Sequence, residues 1–160
     1  MTIGFKISYC QTPNPSVLWR FNTHDESFGN AAIGDLDGDG KKDMLIGDSN
    51  GYLHFFKNTG TTVASFPSMT DPLFGMIDVG QNSAPFIYDV NGDSLNDLVV
   101  GNKNGKLSYF WNIGTRTSPV FSNDSVNTNF GGINVTEPGY AFGYSQPFIK
   151  TDSTGKMLLF

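Results

Sequence analysis

A nine-residue acidic stretch occurs twice in this chain, and few folds can accommodate it. Residues 35–43 read Asp-Leu-Asp-Gly-Asp-Gly-Lys-Lys-Asp. Fifty-four positions later, residues 89–97 read Asp-Val-Asn-Gly-Asp-Ser-Leu-Asn-Asp. Oxygen-bearing side chains return at positions 1, 3, 5 and 9 of each nonapeptide. Alternate spacing lets a tightly curled loop aim several carboxylates at one centre. Left empty, such a loop is repulsive: two like charges ~4 Å apart at an effective dielectric of ~20 repel by about 4 kcal/mol. A hard divalent cation removes that repulsion, and Ca2+ suits a flexible cage of about six to eight oxygens. The sequence therefore implies two calcium ions.

In the first loop the expected ligands are the side chains of Asp35, Asp37, Asp39 and Asp43 and the carbonyl of Lys41. In the second they are Asp89, Asn91, Asp93, Asp97 and the carbonyl of Leu95. Gly40 stands where the chain must turn sharply, a natural place for positive φ. Ser94 takes that place in the second loop, which is expected to be strained there and, with three carboxylates instead of four, to bind more weakly. A metal-free Asp/Asn-Gly turn is the competing explanation of one such loop; two in register weigh against it. An EF-hand shares positions 1, 3, 5 and 9 but needs a bidentate Glu at position 12. Here position 12 is Ile46 or Val100. EF-hand and dockerin loops also lie between helices, whereas these run into Met-Leu-Ile-Gly and Leu-Val-Val-Gly, short apolar runs that read as buried strands.

The likeness extends past the loops. Residues 53–60, LHFFKNTG, match residues 107–114, LSYFWNIG, at the same offset, and each follows an Asn-Gly hairpin signal. Residues 74–79, Phe-Gly-Met-Ile-Asp-Val, match residues 130–135, Phe-Gly-Gly-Ile-Asn-Val. Ser-Gln-Pro-Phe-Ile at 145–149 echoes Ser-Ala-Pro-Phe-Ile at 83–87, which marks a third copy. Its loop, residues 151–156, has one carboxylate and is expected to bind no calcium. The first copy reads as four strands near 31–34, 44–47, 52–57 and 65–70. Nineteen glycines and eight prolines punctuate the chain, and no stretch sustains a helical period. The expected fold is all-β: a partial β-propeller of about two full four-stranded antiparallel blades and the start of a third. Copies fall near 20–72, 73–128 and 129–160, after an N-terminal segment, 1–19, that could add a strand. A two-sheet sandwich fits the strand count but explains the repeat poorly. Because residue 160 falls near the end of the third copy's second strand, further blades or a partner chain are expected to complete the ring.

The stretches AAIGDLDGDGKKDMLIGDSNGYLHFFKNTG and APFIYDVNGDSLNDLVVGNKNGKLSYFWNIG resemble the FG-GAP/VCBS repeats of β-propellers, the class that includes the integrin α-subunit head. The resemblance covers roughly residues 20–160, and the longer copy is similar to propellers in surface proteins of Bacteroidetes. It implies that each loop joins two adjacent strands of a blade and carries Ca2+. It also implies a role in adhesion, scaffolding, or the noncatalytic part of polysaccharide-degrading enzymes.

Composition fits that picture. Hydrophobic residues make up 38% and aromatics 14%, enough for a core. The net charge is −5, yet the two loops hold seven of the fifteen acidic residues, so the acidity serves the loops. No basic run points to nucleic acid, and no apolar run points to membrane insertion. Cys10 is the only cysteine, which excludes a disulfide framework. Calcium loops and scarce cysteine together suggest an extracellular or cell-surface setting, without an export signal in the chain. His24 and His54 form no motif with an acid or nucleophile, and His54 reads as a surface strand residue. Trp19, Trp111 and the tyrosines are able to stack on sugars, while Phe55, Phe56, Tyr109 and Phe110 read as packing between blades. The expected function is a non-enzymatic, calcium-binding module that recognises a protein or carbohydrate. The alternative is a noncatalytic or partial domain of a secreted carbohydrate-active enzyme.

Overall fold

The computed structural model describes residues 30–68, 70–71 and 74–159. The segment 1–19, with Cys10 and Trp19, and also His24 lie outside the described residues. Among the described residues the fold is all-β, with strands paired antiparallel in three sheets. The first contains β1 (Ala31–Gly34), β2 (Asp43–Gly47) and β3 (Leu53–Phe56) in that order. The second contains β4 (Ala84–Tyr88), β5 (Asp97–Gly101), β6 (Leu107–Phe110) and a short β7 (Val126–Asn127). The third is a hairpin of β8 (Ile149–Thr151) and β9 (Met157–Leu159).

Register in the first two sheets is the same at the offset seen in the sequence. Gly34 pairs with Asp43 and Met44 with Phe56; Tyr88 pairs with Asp97 and Leu98 with Phe110. Each acidic nonapeptide is therefore the connection from a first strand to a second. The Phe-Gly segments match as well. Both form a short 3-10 turn with a left-handed glycine, Gly75 at φ 63° and Gly131 at φ 67°. Each is followed by a single bridge back to the preceding hairpin, Asp78 to Tyr52 and Asn134 to Lys106.

Side-chain alternation stacks the sheets in series. Leu45 and Phe55 leave one face of the first sheet and meet Leu98, Val100 and Phe110 of the second in one buried cluster. From the opposite face of the second sheet, Val99 and Leu107 meet Ile149 of the third, with Met157 and Leu159 packed alongside. Period-two alternation assigns neighbouring residues to opposite faces, so β2 and β5 are buried on both. That is why they read as unbroken apolar runs.

A serine clasp sets the spacing between sheets. Ser83 Oγ accepts from Asp48 N at 2.9 Å and donates to Tyr52 O at 2.8 Å. Ser145 Oγ accepts from Asn102 N at 2.9 Å and donates to Lys106 O at 2.6 Å. Both serines are buried. The strand-ending glycine beneath each has no room for a side chain: a Cβ on Gly47 would lie 2.0 Å from Ser83 O, and one on Gly101 would lie 2.0 Å from Ser145 O.

One expectation needs correction. Among the described residues the first sheet has three strands, residues 65–68 are not strand, and a bridge joins Phe55 to Asp71. The cause is Asn58, whose Oδ1 accepts from Gly60 N and Ser65 N, both at 3.0 Å, and closes that segment as a loop. In the second sheet Asn112 closes a similar loop onto Gly114 N and Val120 N before β7 pairs. In the third copy the loop between β8 and β9 is a compact turn. Asp152 Oδ1 accepts from Thr154 N and Lys156 N, the pattern by which Asp48 Oδ1 holds Asn50 N and Tyr52 N. It is an Asp-Gly hairpin turn.

The clasp predicts that Gly47→Ala and Gly101→Ala each destabilise by more than about 2 kcal/mol, because backbone must move. Gly40→Ala, with φ 84° but open space around it, should lose only about 1 kcal/mol. Urea unfolding of the three variants checks the order.

Candidate metal centre

The first acidic loop leaves β1 and returns as β2. Gly38 at φ 71° and Gly40 at φ 84° give the curl. Local N–H groups settle the alternate carboxylates: Asp35 Oδ2 accepts from Gly40 N at 3.1 Å, and Asp39 Oδ1 accepts from Lys41 N at 2.9 Å. The result brings Asp35, Asp37 and Asp39 together, each offering an oxygen within 4.8 Å of the others. One oxygen is conspicuous. Asp35 Oδ1 is shut off from solvent and has no hydrogen-bond partner. A buried carboxylate oxygen without a partner is costly unless a cation faces it.

Asp43 is not one of that trio, though it lies close enough to Asp37 to feel its charge. It is fully buried at the head of β2, with Oδ1 accepting from Asn58 N at 2.9 Å and Oδ2 from Leu36 N at 3.0 Å. Burial pushes its carboxyl up, against the pull of those two N–H groups. Asp97 repeats the arrangement, accepting from Asn112 N, Val90 N and the Tyr109 hydroxyl at 2.9, 3.1 and 2.9 Å. Burial, together with the bond to Asp97, pushes the Tyr109 phenol up. Of four lone-pair positions on each carboxylate, Asp43 thus uses at least two and Asp97 at least three.

The second loop closes differently. Asp89 is its hub, accepting from Gly92 N, Asp93 N and Ser94 N at 2.8, 3.2 and 2.9 Å. Asn91 Nδ2 donates to Asp93 Oδ2 at 2.9 Å, so the amide supplies a donor where the first loop has a third carboxylate. Leu95 N binds Asp93 Oδ1 at 2.8 Å. Ser94 sits at φ 70°, the strained left-handed position expected from its alignment with Gly40. The two loops are neighbours: Asn96 Nδ2 donates to the carbonyl of Asp35 at 2.6 Å.

Two functional residues escape a reading of the motif. Lys57, just past β3, donates to Asp37 Oδ2 in a short contact and lies 3.2 Å from Asp39 Oδ2. These carboxylates hold the ammonium well into its charged range, Asp37 foremost. Asp39 is lowered, first by the Lys41 N–H and then by Lys57. The signal in sequence was that Lys57 aligns with Trp111. The other is the pairing of His54 Nε2 with Asp48 Oδ2 at 2.9 Å, which ties the imidazole to the hairpin turn.

The chain matches no family model, no curated protein and no solved structure. The family resemblance therefore rests on the motifs themselves.

The buried aspartates support a clear expectation. Asp43→Asn and Asp97→Asn put a donor against a backbone donor and should each lower stability by about 1–3 kcal/mol. The loss should persist in chelator, as chemical unfolding in EDTA would show.

Proposed function

We propose that this chain is a calcium-stabilised, non-enzymatic binding module of an extracellular or cell-surface protein. The calcium reading is carried by the convergence of Asp35, Asp37 and Asp39, supported by Asp35 Oδ1, which is buried without a hydrogen-bond partner. The first ion would be held by Asp35, Asp37, Asp39 and the Lys41 carbonyl. The second would be held by Asp89, Asn91, Asp93 and the Leu95 carbonyl. Asp43 and Asp97 belong to the proposed sets through the lone pairs that their N–H and O–H donors leave free. Calcium supplies charge neutralisation and cross-linking of a loop that otherwise repels itself.

The finer architectural proposal is that the three sheets are successive propeller blades. Its support is the series stacking, in which β2 and β5 are buried on both faces and each new first strand is clasped to the hairpin before it. The partner proposed is a protein or carbohydrate. Exposed rings favour that class: Tyr140, Phe142 and Tyr144 are 74%, 46% and 59% exposed on one connection between the second and third sheets. Among the described residues no helix is long and apolar enough to cross a membrane.

Calcium bound only by the folded state stabilises by mass action, about 2.7 kcal/mol at a hundredfold excess over Kd. EDTA should lower the thermal midpoint and millimolar Ca2+ should restore it. Mg2+ should restore it poorly, since it demands a tighter octahedron. Calorimetry should count two ions, one lost in Asp35→Ala and one in Asp93→Ala. An identical midpoint in EDTA and Ca2+ would refute the reading, and a glycan array with added Ca2+ would test the partner class.

A further inference from the structure

The two loops differ in one respect that their motifs do not record. A lysine from outside the nonapeptide reaches into the first loop, and a tryptophan, Trp111, holds the equivalent place beside the second. Lys57 is carried there by the β2–β3 hairpin: Met44 pairs with Phe56, which sets the next residue over the loop that precedes β2. Its ammonium bridges Asp37 Oδ2 and Asp39 Oδ2. Its side chain is 37% exposed and those of Asp37 and Asp39 are 15% and 26% exposed, so the contact is only partly wet. Lys41 adds a long contact of 3.8 Å to Asp39, an exposed pair of little weight. The bridge leaves Asp35 Oδ1 unanswered. One positive charge thus serves two of the three clustered carboxylates, and the third oxygen stays buried without a partner.

We propose that Lys57 is the resident counter-cation of the first loop and that calcium must displace its ammonium to enter. The proposal rests on the calcium reading above and makes Lys57 the residue that sets the affinity of that site. A divalent ion brings twice the charge to a smaller volume and can reach all three carboxylates, so it wins at sufficient concentration. The same ammonium steadies the loop without calcium. Loop one is therefore less dependent on the ion than its four carboxylates imply, and the expectation that it binds more tightly than loop two is weakened. Trp111, at the equivalent place in the second sheet, has no charge to offer and packs on Tyr109 instead.

The test is calcium titration of the whole chain by calorimetry, with the first site identified by its loss in Asp35→Ala. Lys57→Met keeps the aliphatic stem and removes the charge; Lys57→Gln is the polar alternative. Each should tighten the first site by about tenfold, the scale of one displaced partly exposed charge, and leave the second unchanged. In EDTA both variants should melt below the wild type, and both should gain more on calcium addition. In the wild type, the Lys57 ammonium resonance should shift at saturating Ca2+, a readout that needs no variant. Calcium binding with wild-type affinity in both variants, or an ammonium signal that ignores calcium, overturns the role of Lys57 and leaves the calcium reading standing. Absence of calcium binding in the wild type and in both variants overturns the calcium reading itself.

Discussion

Everything near the acidic loops depends on one buried carboxyl group in each of the first two sheets. Asp43 and Asp97 are both fully buried, and a carboxyl group in that setting needs hydrogen-bond donors. Each takes backbone donors from two separate places: the start of its own acidic loop, through Leu36 N or Val90 N, and the exit of the following hairpin, through Asn58 N or Asn112 N. One side chain thereby fixes where the loop begins and where the third strand ends. The asparagine at that exit then uses its own Oδ1 to close the next connection, so the constraint propagates. Position 9 of the nonapeptide is thus a keystone of the sheet whatever else it binds.

Much of this was legible in the sequence, because its causes are local. Met-Leu-Ile-Gly and Leu-Val-Val-Gly announce strands buried on both sides, and Asn-Gly announces the hairpins that follow. The offset of the two nonapeptides is reproduced by the pairing of Gly34 with Asp43 and Tyr88 with Asp97. What was hidden came from side chains that compete with backbone pairing. Residues 65–68 carry a strand pattern, yet Ser65 N is taken by Asn58, while Thr70 N and Asp71 N reach Phe55 O. In the third copy the single carboxylate, Asp152, accepts from the N–H two residues on and makes an Asx turn.

The acidic cluster was only half legible for a related reason. Spacing shows which carboxylates converge, and Asp35, Asp37 and Asp39 do converge. Spacing does not show what approaches from elsewhere. Lys57 is twenty residues from Asp37 along the chain, and its position over the loop is a product of hairpin register. The visible trace was a mismatch between copies: a lysine in one and a tryptophan in the other, within segments otherwise alike. Departures from an internal repeat are where charge balance has to be worked out anew.

The link between the loops adds the last constraint. Asn96, one residue before the buried Asp97, donates to the carbonyl of Asp35, the first residue of the other loop. Its neighbour is locked in place by three hydrogen bonds, so Asn96 has little freedom to retreat. Asp35 in turn carries the unpartnered Oδ1. Rotation of Asp35 toward solvent would relieve that oxygen, but the backbone beneath it is held by the second loop and its Oδ2 by Gly40 N. Asp35 is therefore held from two sides, its side chain by Gly40 N of its own loop and its backbone by Asn96 of the second. Stacking the sheets does more than bury leucines: it ties the first acidic loop to the second through a direct hydrogen bond.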